Sequence, residues 1–128
     1  WKMMGGTTKM LDPRVKVAPT CVRVPAFIGH AESINISFEN PISAEEARAA
    51  LHDAPGVIVV DHLADEGFVT PAECAGEDAV YVSRIREDFT LENGLNLWVV
   101  SDNLREGAAL NAVQCAEALV AGYLDKAA

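Results

Sequence analysis

Two side chains seven positions apart, Arg23 and His30, are the residues of this sequence best suited to chemistry on a small acid. A guanidinium offers a planar, two-pronged grip on a carboxylate. An imidazole titrates near neutral pH, so it can take up a proton and give it back. The types alone leave the pair open. A single arginine on a strand also suits a surface ion pair, and a single histidine ahead of a strand also suits plain solvation. Cys21 lies close by and could form a Cys–His nucleophile pair. It lacks the helix N-terminus or basic cluster that would lower a thiol's pKa. Cys74 and Cys115 have the settings of core or loop thiols. Lys2 is a point charge beside Trp1. Arg84 and Arg86 flank Ile85 on an expected strand, share a face there, and could hold an anion or pair with the many acidic residues. Asp102 and Asn103 open an expected helix. Free N–H groups at such a start attract phosphate, although the same residues serve equally as a plain N-cap. His52 and His62 have no partner at useful spacing.

The elements that must hold these groups follow from periodicity. Residues 20–24 are β-branched and predict a strand with Val22 and Val24 on one face, Cys21 and Arg23 on the other. Residues 33–39 alternate strictly and predict a strand buried on one face. Ser43-Ala44-Glu45-Glu46 is a capping box, and the helix it opens carries Ala47, Ala50, Leu51 and Ala54 until Pro55-Gly56 stops it. Residues 57–60 are wholly apolar and predict a buried strand, with a polar loop over 61–67. Residues 79–85 alternate again, with Val80 and Val82 opposed to Tyr81, Ser83 and Ile85. Asn93-Gly94 signals a turn into a strand over 95–100. A long helix is expected over 104–124. Gly5-Gly6-Thr7-Thr8 is expected to break the chain. The order, without regular βαβ alternation, implies an α+β fold: a mixed or antiparallel sheet covered by helices on one face, plus a long C-terminal helix.

Composition bounds the function. A chain of 128 residues, half of them hydrophobic, suffices for one core. A formal charge of −9 argues against nucleic acid and against an anionic membrane surface. No apolar run approaches the roughly 20 residues of a membrane helix. Three scattered cysteines without a CxxC make a zinc site or disulfide framework a poor expectation and suit the cytoplasm. No metal site is expected. No GxGxxG or P-loop motif occurs, so a complete nucleotide-binding domain is not expected within these residues. The first residue is Trp1, in a stretch that reads like the inside of an element, which suggests a piece of a larger protein.

The strip Cys21-Val22-Arg23-Val24-Pro25-Ala26-Phe27-Ile28-Gly29-His30, followed by Ala31-Glu32-Ser33, resembles the "CVRVPxxxGHSE" strip of bacterial aspartate-semialdehyde dehydrogenases. Glu73-Cys74-Ala75-Gly76-Glu77-Asp78, the run from Val80 to Arg86, and the run from Asn93 through Arg105 to Asn111 resemble later segments of that family, in order. The resemblance implies an NADP-dependent oxidoreductase that converts β-aspartyl phosphate to aspartate-β-semialdehyde, releasing phosphate, in lysine, methionine, threonine and isoleucine synthesis. It implies that Arg23 binds the substrate carboxylate, His30 is the acid/base partner of a cysteine nucleophile, Lys2 holds phosphate and Asn103 contacts NADP. The family's nucleophile sits in an upstream Asn-Cys motif that none of the three cysteines here matches, so these residues alone are expected to be inactive. Residues 1–100 are expected to form the substrate-binding and dimerisation domain, and 101–128 a helix that in the family packs on the NADP-binding domain. The expected assembly is a homodimer or higher. The competing expectation is a non-enzymatic α+β module for dimerisation or small-anion binding.

Overall fold

Apolar residues alternate over 34–38 and 95–99 and mark two strands that pair with each other. In the computed structural model, which describes residues 2–65 and 67–124, these become β1 (His30–Ser37) and β4 (Gly94–Ser101). The other elements are α1 (Lys2–Met10), α2 (Ala44–His52), β2 (Val57–Val59), β3 (Val80–Asp88) and α3 (Leu110–Leu119), with π-type turns at Arg105–Ala109 and Val120–Leu124. The sheet runs β1-β4-β3-β2, antiparallel except for the parallel β2–β3 pair. This is the expected α+β class with a mixed sheet and a C-terminal helix.

Period-2 geometry assigns the faces. Leu95, Leu97 and Val99 of β4 share one face, opposite Ile36 and Ile34 of β1 and Val82 of β3. α2 covers that face with Ala47 and Leu51, and together they form the core. The capping box opens α2 as expected: Ser43 Oγ accepts from the Glu46 N–H, and the Glu46 carboxylate accepts from the Ser43 N–H at 2.8 Å. On the opposite face the loop after residue 67 lies over Trp98. The indole Nε1 donates to Val69 O at 2.8 Å, the Val69 N–H donates to Ser83 Oγ at 3.2 Å, and the Phe68 ring meets Trp98 edge-on.

Four local expectations are corrected. Residues 20–24 form no strand. Pro19 and Pro25 bracket them and bring no N–H, and no neighbouring edge pairs with them, so β-branched composition has no ladder to join. Gly5 to Thr8 lie inside α1, where the Thr7 and Thr8 hydroxyls donate back to Met3 O and Met4 O. The alternation of β3 is broken by a bulge between Ser83 and Arg86, with Arg84 at φ +52°. Val82 and Ile85, three apart, therefore both enter the core, and Arg84 and Arg86 do not share a simple strand face. The C-terminal helix starts at Leu110, because Glu106, Gly107 and Ala108 leave helical geometry and Gly107 sits at φ +78°.

Candidate functional site

The first residue of β1 pairs with the last of β4, so His30 stands against Ser101 where both strands meet solvent. Just before it, Gly29 has φ +96°, a conformation suited to glycine. A Cβ there would come within 3.1 Å of Pro71 Cβ and 3.3 Å of Ser101 O, so a side chain would push these neighbours back by a few tenths of an ångström, on top of the strain of the positive φ. The Gly29 N–H donates to Asn103 Oδ1 at 3.0 Å. Since this donor needs an oxygen, the Asn103 amide is oriented by it, and its Nδ2 keeps two N–H donors. The structure thus ties the expected cofactor residue to the backbone amide of the glycine just before the expected base.

Asp102 anchors the same corner. It is 4% exposed, and its carboxylate accepts from the Gly76 N–H at 2.8 Å and the Leu104 N–H at 2.9 Å. These amide donors, Gly76 foremost, hold its carboxyl below the ordinary range. Its backbone oxygen accepts from Arg105 and Glu106, closing one turn that ends at Gly107. The expected anion-attracting helix start is therefore taken up by Asp102 itself. Arg105 pairs with Asp78, and the Glu73 carboxylate accepts from the Thr70 N–H and hydroxyl. Pro71, which closes over Gly29, belongs to this pinned loop. The grip of Asp102 on Gly76 leaves no signal in the sequence, since the loop residue lies 26 positions away and no periodicity links the two.

The cysteines divide by environment. Cys74 is fully buried, its thiol facing Pro71 O at 3.3 Å, and burial pushes its pKa up. A thiol so placed is no nucleophile at neutral pH. Cys21 and Cys115 are exposed. Cys21 Sγ lies 3.4 Å from Met3 Sδ, which places the start of the strip beside α1, whose first residue is Lys2. Trp1, its partner in the resemblance, lies outside the described residues. Arg23, Lys2 and the His30 ring are exposed. Among the described residues no hydrogen bond or ion pair joins Arg23 to His30. Arg84 stacks over Phe68, 5.7 Å from the ring centroid. No cluster of three or more metal-ligating side chains occurs among the described residues, and no described helix is long and apolar enough to cross a membrane.

A sheet whose exposed end presents a histidine, with an asparagine tied into its backbone, defines a domain able to supply a base and polar contacts to a site completed by other groups. The chain belongs to the semialdehyde dehydrogenase family: the profile of the "Semialdehyde dehydrogenase, dimerisation domain" matches residues 1–106. It is 50% identical over 116 residues to aspartate-semialdehyde dehydrogenase of Rickettsia bellii, covering 91% of this chain and 34% of the relative. With the enzyme of the same name from Aquifex aeolicus the identity is 52% over 120 residues, covering 93% and 35%. Two crystal structures of aspartate semialdehyde dehydrogenase II from Vibrio cholerae, one of them complexed with ASA, superpose with a TM-score of 0.88 at 44% identity, covering 95% of this chain and 36% of theirs. The chain thus spans about a third of the length of the relatives it matches.

Proposed function

We propose that this chain is the substrate-binding and dimerising part of an aspartate-semialdehyde dehydrogenase, a cytoplasmic enzyme that works as a homodimer. The reaction reduces β-aspartyl phosphate with NADPH and a proton to aspartate-β-semialdehyde, NADP and phosphate. Arg23 grips the substrate carboxylate through its planar fork. His30 takes the proton of the attacking thiol and returns one as the reaction proceeds. Lys2 neutralises the phosphate. NADPH would supply the hydride when bound, and Asn103 Nδ2 is the group of this chain suited to donate a hydrogen bond to the cofactor. The thiol itself comes from outside these residues, since Cys74 is buried and neither Cys21 nor Cys115 stands in the Asn-Cys motif. The 128 residues alone therefore show no turnover. Residues 1–100 form the substrate and dimer body, and the C-terminal helix docks on the cofactor domain. The observation that carries the reading is the seat of His30 at the strand end, bound through Gly29 to Asn103, in a chain of this family.

The test replaces the matching third of the Aquifex aeolicus enzyme with this chain. The expected result is phosphate-dependent reduction of NADP by aspartate-β-semialdehyde. In that chimera His30→Asn lowers kcat by roughly 10²–10⁴-fold, the usual worth of a general base, and Arg23→Ala acts mainly on the KM for the semialdehyde. A folded chimera without turnover, or variants without effect, would refute the assignment.

A further inference from the structure

We infer that Asn103 is a positioning residue for His30, in addition to any contact it makes with cofactor; the inference rests on the function proposed above. The two halves of its amide have different work. Oδ1 accepts the Gly29 N–H at 3.0 Å across 74 positions of sequence, while Nδ2 has no hydrogen-bond partner among the described residues. The bond falls on Gly29, which holds a φ of +96° immediately before His30. Gly29 is gripped from three sides: Pro71 above it, Ser101 O beside it, and the Asn103 oxygen on its N–H. Pro71 is held in turn by the loop that Asp102 ties through Gly76. Two consecutive residues at the end of β4 therefore set the point from which the imidazole departs. Without the Asn103 oxygen the Gly29 amide loses its partner, the peptide is free to rotate, and the ring of His30 samples positions away from its thiol. A displacement of about an ångström at a reacting group is enough to lose much of its catalytic worth.

Asn103→Asp and Asn103→Ala separate the two roles. Aspartate keeps an acceptor for Gly29 and loses the Nδ2 donors; alanine loses both. The first measurement is amide hydrogen exchange at Gly29 in the 128-residue chain, which requires no activity. Protection is expected in the wild type and Asn103→Asp, with exchange roughly two- to tenfold faster in Asn103→Ala, about what one hydrogen bond is worth. The second is steady-state kinetics of the chimera. Asn103→Ala is expected to lower kcat about tenfold, and Asn103→Asp to recover most of that loss while the KM for NADP stays raised. If Gly29 exchanges equally in wild type and Asn103→Ala, or if the whole effect of Asn103→Ala lies in the KM for NADP, the positioning role is overturned. A chimera inactive even with the wild-type chain, with Gly29 protected as expected, would instead count against the proposed function and leave the Asn103–Gly29 tie standing.

Discussion

Asp102 satisfies two backbone N–H groups from different segments with one buried side chain, and this gives the corner around His30 a definite pH signature. Its carboxyl is held below the ordinary value in the folded chain, first by Gly76 and then by Leu104. In the unfolded chain it returns to about 3.9. The stabilisation it brings is therefore fully present above that value and is lost as pH falls through the lower folded value. Asn is a near-isostere that must turn an N–H toward one of two donors. Asp102→Asn is expected to be less stable than wild type at pH 7, with the gap narrowing as pH falls below about 4. Urea midpoints across that range check it; a gap independent of pH would contradict the account. Asp88, Glu46 and Glu73 are likewise held low by local hydroxyl and amide donors and add to the wild-type slope, so the comparison is made between the two proteins at each pH.

Among the elements, the bulge of β3 depends most on a single side chain. The Asp61 carboxylate accepts from the N–H groups of Arg84 and Ile85 and from Arg48 Nε, while Arg48 Nη2 donates to Ile85 O. The ion pair is largely out of water, at 4% and 23% side-chain exposure. Removing one partner of such a pair leaves the other uncompensated. Asp61→Ala is expected to cost about 3 kcal/mol in chemical denaturation, whereas a loss under about 1 kcal/mol would mean that water substitutes for the carboxylate. The bulge also marks the limit of what periodicity reveals. The strands expected over 33–39 and 95–100, which lie at 30–37 and 94–101, and the capped helix α2 are legible in the sequence, because their alternation and the Ser43–Glu46 box are local signals. Ile85 lies on the face opposite to the one its alternation predicts, because the residue that holds the bulge, Asp61, comes from another loop. Residues 20–24 have strand composition but no strand to pair with. The helix expected from residue 104 is delayed by the Asp102 turn and Gly107. Of the site, His30 and Asn103 stood out by type, and their link through Gly29 did not, because a contact across 74 positions leaves no local pattern.

Taken whole, the molecule has a packed sheet and two helices with little to pack on. α1 and α3 have no buried residue, and Met3, Met4, Val113 and Leu119 are all more than two-fifths exposed. Exposed apolar helices of this kind are a liability in a monomer and an asset in an assembly. The family name specifies dimerisation, and the account expects two copies by light scattering at micromolar concentration; a monomer's mass of 13.7 kDa would count against it. Arg23 and His30 are expected to serve one substrate, and a crystal structure of the chimera with aspartate-β-semialdehyde bound tests this most directly. The expected structure has the substrate carboxylate on the Arg23 guanidinium at about 2.7–3.2 Å, with the His30 imidazole at the aldehyde end. Substrate bound with its carboxylate away from Arg23, or with His30 turned from the aldehyde, would contradict it.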